Sequence, residues 1–540
     1  MPNVIVLDNI AQEGLALLET AEGIEYEIRT GLAGDELQAA LNEFDGAICR
    51  SGVRITSAAL AGNRKLKAIV RAGVGTDNID KAAATRQGVV VMNTPTGNTL
   101  STAEHTFTLM LALSRNVAPA HASLMAGRWD RKLYMGAQLA DKTLGVIGLG
   151  RIGREVAKRA LAFQMRVCAY DPYLTAEQAE QLGVKPVDTI DELLPLCDYL
   201  TVHVPGSDET KGLIGRDEIA KLPRGARVIN CARGGIYDES ALLEALESGQ
   251  LAGAALDVYD SEPCTDSPLF GQPGTLCTPH LGASTEEAQT QVAVEAVHLL
   301  VNFLTTGEIR HAVNMAAIDP QTLDAMRGHL DMAYRLGLLL SQWHDGGIST
   351  CSLSYRGEVA NSDTKLMTAS FCVGLLSRAI EDVNIVNAKV LLQERGIQLT
   401  EHASAEMGAF SSSFAATVEG DGNSHSAAGT LFGASMPRLI RLGEYRLEAY
   451  LDGTLLIFSH EDVPGIIGSV GTTFGAHQVN IGQMSVGRAG DAQGGQAIGV
   501  LNLDEAPADA AIDEILQHDS VHGVSVLELP PAGERPAWLG

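Results

Sequence analysis

Residues 142 to 171 read KTLGVIGLGRIGREVAKRALAFQMRVCAYD. The segment opens with an apolar, strand-like run, continues through glycines at 148, 150 and 153, and then shows a helical pattern that leads into a second apolar run. A strand that passes through G-x-G-x-x-G into a helix is typical of a βαβ dinucleotide-binding unit. The segment therefore predicts a parallel sheet with helices on its faces.

Each glycine of this turn has a predicted role. Gly148 permits the tight turn, Gly150 lets backbone amides approach a pyrophosphate, and Gly153 lets helix and strand pack closely. The pyrophosphate is expected at the helix N-terminus, where unpaired N–H groups favour anions. Asp171 lies 171 − 153 = 18 residues further on. Its carboxylate is expected to accept hydrogen bonds from both hydroxyls of the adenosine ribose. A 2′-phosphate at this position would be repelled by the carboxylate, so the sequence predicts NAD rather than NADP as the cofactor. The alternative is a glycine turn that binds no ligand.

Outward from this unit, the 540-residue chain predicts three or four domains. Strand-like and helical runs alternate over the first ~310 residues, as in α/β proteins with parallel sheets. The predicted fold class is two doubly wound Rossmann-like domains, one of them discontinuous, followed by an α+β domain and a ferredoxin-like β-α-β-β-α-β unit. The expected boundaries are 1–98 with 285–314, 99–284, 315–452 and 453–530. Ser284 is the expected N-cap of the helix that returns to the first domain, and the tail from 530 is expected to be disordered.

Composition excludes several classes of protein. The formal charge of −27 argues against a general binder of nucleic acid or of anionic membranes. The eight cysteines include no C-x-x-C pair, so no metal site is predicted. The N-terminus MPNVIVLDNI reads as a strand, and no apolar run reaches the ~18 residues that span a bilayer. We expect a soluble cytoplasmic protein.

Three charged residues follow predicted strands, at the sheet edge where open α/β proteins bind ligands: Arg233, Glu262 and His280. A histidine can remove a hydroxyl proton during hydride transfer, and a carboxylate on its other nitrogen fixes the tautomer. An arginine can bind the carboxylate of a 2-hydroxy acid in a fork. Taken singly, each has a plainer interpretation, as a packed loop histidine, a solvated loop acid or a surface arginine.

Several motifs resemble a known family. GLGRIG, NCARGGIYDE, GAALDVYDSEP and PHLGAST are similar to the D-isomer-specific 2-hydroxy acid dehydrogenases, and VRAGVGTDNID, NTPTGNTLSTAEH and GRWDRKLYMG are similar to their phosphoglycerate-oxidising branch. The resemblance covers residues 3 to 315. It implies oxidation of D-3-phosphoglycerate, with Arg233 on the substrate carboxylate, His280 as general acid/base and Glu262 as its partner. It also implies cofactor contacts at Arg151, Ile152, Pro205, Cys231, Asp257 and Gly282.

The same resemblance implies a substrate site in the first domain, formed by Arg50, Arg54, Arg71, Gly73 and Asn98. Arg131 and Lys132 are expected to reach the site of a neighbouring subunit. The protein is therefore expected to be a homo-oligomer, a tetramer in the simplest case.

The C-terminal segments HEDVPGIIGSV and VNIGQM resemble the ACT domain, a small module that senses amino acids. His460, Asp462 and Asn480 match its effector-contacting positions, and L-serine is the expected effector. Alternatively, the module serves only to join subunits. Residues 315 to 452 resemble the intervening domain of long-form family members, but no clear basic set surrounds GEYRLEAY, which leaves an anion site there in doubt.

Two other functions stay open. One is a different 2-hydroxy acid dehydrogenase, such as a hydroxypyruvate or glyoxylate reductase. The other is an NAD-sensing binding protein, similar to the transcriptional corepressors that share this fold, in which the chemistry is dispensable.

Overall fold

The computed structural model describes residues 1–315, 320–362, 364–380, 383–489 and 494–536. Over these ranges the strands form three sheets, of five, seven and ten strands. Within the described residues, no helix is long and apolar enough to cross a membrane. All eight cysteines are free thiols, and six of them are buried.

The first unit is a parallel five-stranded sheet in the order β2-β1-β3-β4-β5. Its middle strand, Gly46–Cys49, is short, apolar and buried along its whole length, as a parallel sheet covered on both faces requires. The strands are β1 Asn3–Val6, β2 Glu25–Ile28, β3 Gly46–Cys49, β4 Ala68–Arg71 and β5 Val90–Asn93. The helices are α1 Gln12–Thr20, α2 Gly34–Leu41, α3 Ser57–Leu60 and α4 Lys81–Arg86.

The second unit is a parallel seven-stranded sheet in the order β12-β11-β10-β9-β6-β7-β8. The strand order reverses beside β6, so the crevice where such sheets bind ligands lies between β6 and β9. The strands are β6 Thr143–Ile147, β7 Arg166–Tyr170, β8 Lys185–Pro186, β9 Tyr199–Val202, β10 Ala226–Asn230, β11 Leu251–Leu256 and β12 Thr275–Cys277. The helices are α5 Thr99–Ser114, α6 Val117–Met125, α7 Arg151–Ala162, α8 Ala176–Leu182, α9 Ile190–Leu193, α10 Arg216–Lys221 and α11 Glu239–Glu247, with a short 3-10 helix at Leu194–Leu196.

A long helix, α12 Glu286–Thr306, carries the chain back to the first sheet, where it packs on α1, β3 and β4. The prediction of Ser284 as its N-cap is wrong. Thr285 is the cap, since its hydroxyl accepts the N–H of Ala288 at 3.2 Å. Gly307 ends the helix with a φ of 74°, a left-handed conformation that glycine adopts without strain.

The third unit pairs two helices against an extended sheet. Its helices are α13 Pro320–Trp343 and α14 Thr364–Leu376. They pack so closely at Gly337 that a β-carbon there would lie 2.2 Å from the Phe371 carbonyl oxygen. The third helix is α15 Ala388–Glu394, and a 3-10 helix spans Glu358–Asn361. The strands are β13 Thr350–Gly357, β14 Gln398–Ser404, β15 Ser412–Gly420, β16 Asn423–Phe432, β17 Met436–Leu442 and β18 Tyr445–Tyr450.

The last unit has the predicted β-α-β-β-α-β order. It comprises β19 Thr454–Glu461, α16 Ile466–Ala476, β20 Ile481–Arg488, β21 Gln496–Leu503, α17 Asp509–Leu516 and β22 Val521–Glu528. Its strands follow the order β20-β21-β19-β22, and β20 pairs with β18 at Arg446 and Arg488. The third and fourth units therefore share one ten-stranded sheet.

The expectation of a disordered tail is wrong for its first residues. The guanidinium of Arg335 on α13 is fully buried and pairs with Asp331 at 2.9 Å. It also donates to the carbonyl oxygens of Leu451, Pro530, Pro531 and Glu534. A buried guanidinium needs such acceptors, and the tail supplies three of them. Residues 537–540 lie outside the described part of the chain.

Candidate active site

The glycine turn after β6 has the geometry of a dinucleotide site. A β-carbon on Gly148 would lie 2.7 Å from the His203 carbonyl oxygen, and one on Gly153 would lie 2.1 Å from the Gly148 carbonyl oxygen. These two positions are therefore closed to other residues. A β-carbon on Gly150 would meet nothing within 4 Å, so the backbone at the start of α7 faces open space. This surface fits the pyrophosphate of NAD.

Asp171 stands directly beside that turn, at the end of β7. Its Oδ2 accepts the N–H of Leu149 at 2.7 Å, and its Oδ1 accepts the N–H of Tyr173 at 2.9 Å. These bonds fix the carboxylate next to the glycine turn, and each oxygen keeps acceptor capacity for a ribose hydroxyl. A fixed negative charge at this position disfavours a 2′-phosphate, in agreement with the predicted preference for NAD.

His280 and Glu262 are in direct contact. The Nδ1 of His280 lies 2.6 Å from Oε2 of Glu262, and Oε1 of Glu262 accepts the N–H of Tyr259 at 3.0 Å. Burial tends to raise the pKa of Glu262, but the hydrogen bonds from His280 and Tyr259 outweigh it and lower that pKa. Glu262 is therefore an anion at neutral pH. It orients the ring so that Nε2 is the nitrogen left for a substrate.

The backbone of His280 is held in an unusual conformation. Its φ is 55°, in the left-handed region, which costs a residue with a side chain of order 1–3 kcal/mol. Asp257 at the end of β11 stabilises this turn: its carbonyl accepts the N–H of His280 at 2.8 Å, and its carboxylate accepts those of Leu281 and Gly282 at 2.7 and 2.8 Å. Asp257 is fully buried and organises the loop. Its contact with the cofactor stays a prediction.

A second histidine, His203, lies beside the glycine turn at Gly148 and is unsuited to proton transfer. It follows β9, and burial lowers its pKa to about 4, so its ring is neutral under ordinary conditions. His280 is half-exposed by contrast.

Arg233 reaches across the cleft between the first two sheets. Its Nε donates to Asp77 in the first unit at 2.9 Å, and its Nη1 donates to its neighbour Ala232 at 2.6 Å. A β-carbon on Gly75 would lie 1.9 Å from Nη2, so only glycine leaves room for the guanidinium there. The sequence did not single out Asp77, although it lies in the GVGTDNID motif.

Arg71 lies against the same loop. A β-carbon on Gly73 would lie 1.8 Å from its Nη1. Burial lowers the pKa of Arg71, and the nearby charges of Arg233 and Arg50 lower it further. Its Nε is buried without a hydrogen-bond partner among the described residues. Concentrated positive charge with an unsatisfied donor is the environment that an anionic ligand stabilises.

The other predicted substrate residues differ in their contacts and exposure. Asn98, just before α5, has a buried Oδ1 without a partner in the described chain. Arg50 donates to the Asn9 carbonyl at 3.0 Å. Arg54 is exposed, and no described contact draws it to the cleft.

The remaining predicted cofactor residues differ in their surroundings. Arg151 donates to the Pro95 carbonyl at 3.4 Å and so bridges the two units. Ile152 is half-buried and Pro205 is exposed. Cys231 is buried, and burial raises the pKa of its thiol to about 12, which makes it a packing residue rather than a nucleophile.

The predicted effector residues in the last unit each have an internal partner. His460 is buried, and its Nδ1 donates to the Glu461 carbonyl at 2.8 Å. Asp462 forms an ion pair with Arg488 at 2.8 Å, which lowers the pKa of its carboxyl. Asn480 donates to Asp504 at 2.7 Å. A ligand must therefore compete for Asp462 and Asn480, whereas Nε2 of His460 is buried without a hydrogen-bond partner among the described residues.

Strand pairing also corrects the view that GEYRLEAY has no basic neighbours. Arg446 of β18 lies opposite Arg441 of β17 and opposite Arg488 of β20. Residues on three separate strands thus form one basic row, which the linear sequence does not display.

Three family models match the chain. Residues 107–282 match the D-isomer specific 2-hydroxyacid dehydrogenase NAD binding domain, residues 325–443 match the D-3-phosphoglycerate dehydrogenase intervening domain, and residues 454–519 match the ACT domain.

Relatives match over nearly the full length. A D-3-phosphoglycerate dehydrogenase of Archaeoglobus fulgidus is 40% identical over 97% of this chain and 100% of its own. The Bacillus subtilis D-3-phosphoglycerate dehydrogenase is 38% identical over 98% of this chain and 100% of its own.

Solved structures match a little more than half of the chain. The TT0316 protein of Thermus thermophilus is 35% identical with a TM-score of 0.53, covering 58% of this chain and 99% of its own. A glyoxylate reductase from Paecilomyes thermophila is 28% identical with a TM-score of 0.54, covering 58% and 98%.

Proposed function

The chain belongs to the D-3-phosphoglycerate dehydrogenases of the D-isomer-specific 2-hydroxyacid dehydrogenase family, and on that premise we propose how its residues carry out the reaction. It is an NAD-dependent oxidoreductase that converts D-3-phosphoglycerate to 3-phosphooxypyruvate, the first step of serine biosynthesis. The observation that carries the assignment of roles is the 2.6 Å contact between His280 and Glu262.

In the proposed mechanism, Nε2 of His280 removes the proton from the C2 hydroxyl of the substrate. Glu262 holds the proton on Nδ1 and stabilises the imidazolium that forms. NAD, which the glycine turn at 148–153 and Asp171 would hold, would supply the acceptor for the hydride that leaves C2. The Asp257 loop keeps His280 in its left-handed turn, so that the imidazole is oriented before the substrate arrives.

The proposed substrate contacts divide between two arginines. Arg233, held by Asp77, binds the carboxylate and polarises the developing carbonyl at C2. Arg71 binds an anionic group of the substrate, since its unpaired buried Nε needs a compensating acceptor. Arg50 and Asn98 complete the same pocket, and Arg54 joins it only if the substrate draws it in.

The test of the chemistry is NADH formation by purified protein. We expect turnover with D-3-phosphoglycerate and little with D-glycerate, because the arginine cluster selects the phosphate. Turnover of a non-phosphorylated 2-hydroxy acid but not of D-3-phosphoglycerate would favour a glyoxylate or hydroxypyruvate reductase. A cellular function that survives His280→Ala would favour the NAD-sensing alternative.

Serine regulation is the second part of the proposal, supported by the match to the ACT domain. Asp462 would take the ammonium of the amino acid, and the N-terminal amides of α16, which begins after Gly465, would take its carboxylate. Calorimetry with L-serine, with Asp462→Ala and Asn480→Ala as comparison variants, tests this site. Inhibition that persists in both variants would move the effector elsewhere.

Homo-oligomerisation is the third part. The surface formed by α6 and residues 126–137 exposes Trp129 at 78%, Leu133 at 74% and Met135 at 84%. So large an apolar surface marks an interface, and a second copy of the chain would cover it. Arg131 and Lys132 lie in the same segment and would enter the partner's cleft. Light scattering should show a tetramer, and Trp129→Glu should lower the measured mass.

The free thiols favour the cytoplasm as the compartment of the protein.

A further inference from the structure

Helix α5 packs one face against the loop that follows β12. The hydroxyls of Ser101 and Thr102 both donate to the carbonyl oxygen of Gly282, at 2.7 and 3.1 Å. One turn further along, His105 places its Nε2 3.2 Å from Oδ1 of Asp257 and 3.2 Å from the hydroxyl oxygen of Thr278. This helix therefore contacts both sides of the turn that presents His280.

The hydrogen-bond pattern fixes the tautomer of His105. Asp257 Oδ1 already accepts the hydroxyl of Thr278 at 2.6 Å and the N–H of Leu281 at 2.7 Å. An ionised carboxylate only accepts hydrogen bonds, and the Thr278 proton is committed to Asp257. Nε2 of His105 must therefore carry a hydrogen and donate it.

Asp257 needs these donors because it is fully buried. Burial tends to raise the pKa of its carboxyl, and the hydrogen bonds of His105, Thr278 and Leu281 outweigh that effect and lower it. The other titratable groups whose charges act with Asp257 are Cys231, Tyr259 and Glu262, and each of these is neutral or anionic. His105 is the basic side chain in this set.

We propose that His105 is a positioning residue for the dehydrogenase reaction: its Nε2–H holds the Asp257 carboxylate in the orientation that grips the Leu281 and Gly282 amides and thereby keeps His280 in its left-handed, productive turn. His105 touches neither Glu262 nor the His280 ring in the structure's hydrogen-bond network, so its effect passes through Asp257. The inference rests on the proposed function, because it assigns the consequence of this grip to turnover.

The experiment compares His105→Phe, which keeps a ring but removes the donor, with His105→Gln, whose amide N–H can still donate. His298→Phe, at an exposed histidine of α12, is the matched control. Each full-length protein is assayed for kcat, KM and the pH profile of kcat. Hydrogen exchange of the peptide that contains Leu281 and Gly282 is followed by mass spectrometry.

We expect His105→Phe to lower kcat about tenfold to 100-fold, since small misplacement of a reacting group has effects of that size. KM for D-3-phosphoglycerate should stay within threefold. Without one of its donors the pKa of Asp257 rises, so the loss of kcat relative to wild type should grow as the pH is lowered. The Leu281 and Gly282 amides should exchange faster, and His105→Gln should restore most of each property.

The proposal is overturned if His105→Phe leaves kcat and loop exchange as they are in His298→Phe. It is also overturned if His105→Gln loses as much as His105→Phe, because a donor would then not be the relevant property. The exchange measurement needs no turnover. Wild-type protein that does not oxidise D-3-phosphoglycerate therefore disproves the proposed function, and unchanged loop exchange in His105→Phe disproves this inference.

Discussion

The catalytic half and the C-terminal half of the chain each place a carboxylate against a basic side chain, with opposite consequences. In the first half Glu262 contacts His280, the proposed general acid/base. In the second half Asp462 contacts Arg488, which keeps its charge at any ordinary pH. The first pair can carry a proton during a reaction. The second can only be opened or closed, which suits a regulatory contact.

The two halves also differ in how they are built. The catalytic half holds two separate parallel sheets, bridged across a cleft by the contact between Arg233 and Asp77. The C-terminal half is one continuous ten-stranded sheet anchored by the buried Arg335. The two units of the catalytic half thus face each other across a cleft, whereas those of the C-terminal half continue one sheet through the pairing of β18 with β20.

Of the changes that test this comparison, removal of the His280 imidazole should have the largest effect. We expect His280→Asn to lower kcat about a thousandfold, roughly 4 kcal/mol in barrier, because general acid/base catalysis is lost. Steady-state NADH formation measures this, and fluorescence titration should show that NADH still binds. Glu262→Gln, which keeps the shape but not the charge, should lose less. A His280→Asn enzyme within tenfold of wild type would assign the proton transfer to another group.

The second largest effect is expected from breaking the buried contact between Arg335 and Asp331, which should lower the stability of the C-terminal half. Arg335→Met leaves Asp331 buried without its partner, which typically costs about 3 kcal/mol. The midpoint of urea unfolding, followed by Trp343 fluorescence in a Trp129→Phe/Trp538→Phe background, should fall. The double variant Asp331→Leu/Arg335→Met should recover part of the loss. Equal midpoints for Arg335→Met and wild type would show that the tail contacts are incidental.

Breaking the ion pair between Asp462 and Arg488 should have a moderate effect on inhibition by serine. Arg488→Met releases Asp462 from its ion pair, so an amino-acid ammonium no longer competes with a guanidinium. We expect the serine concentration for half-inhibition to fall by up to about tenfold, with Arg488→Lys close to wild type. Weaker inhibition in Arg488→Met would mean that Arg488 itself contacts the effector.

The smallest expected effect is on the pH dependence of stability. The pKa of Glu262 in the folded protein lies below its unfolded value, near 4.3. Its contribution is therefore present above about pH 4.3 and is lost as pH falls through the folded pKa. The difference in Tm between wild type and Glu262→Gln should be larger at pH 6 than at pH 4. A difference that grows toward acid pH would contradict the lowered pKa.

Much of the molecule was accessible from local pattern. The glycine turn, the alternation of strands and helices and the order of the C-terminal unit all follow from residues close in sequence, and each is present in the structure. The exact start of α12 was missed, because Ser284 and Thr285 are both good caps and only backbone geometry separates them.

Local pattern was enough to identify the chemistry that is present: a dinucleotide turn, an acid at the next strand end, and an arginine, a glutamate and a histidine after successive strands. The contacts between these groups are visible only in the folded chain. It joined Glu262 to His280, Arg233 to Asp77, and His105 to Asp257 across 152 residues of chain. It also paired Asp462 with Arg488 and folded the tail onto Arg335. The reason is physical: local propensity and periodicity act over a few residues, whereas a hydrogen bond depends on tenths of an ångström that the packing of whole sheets sets.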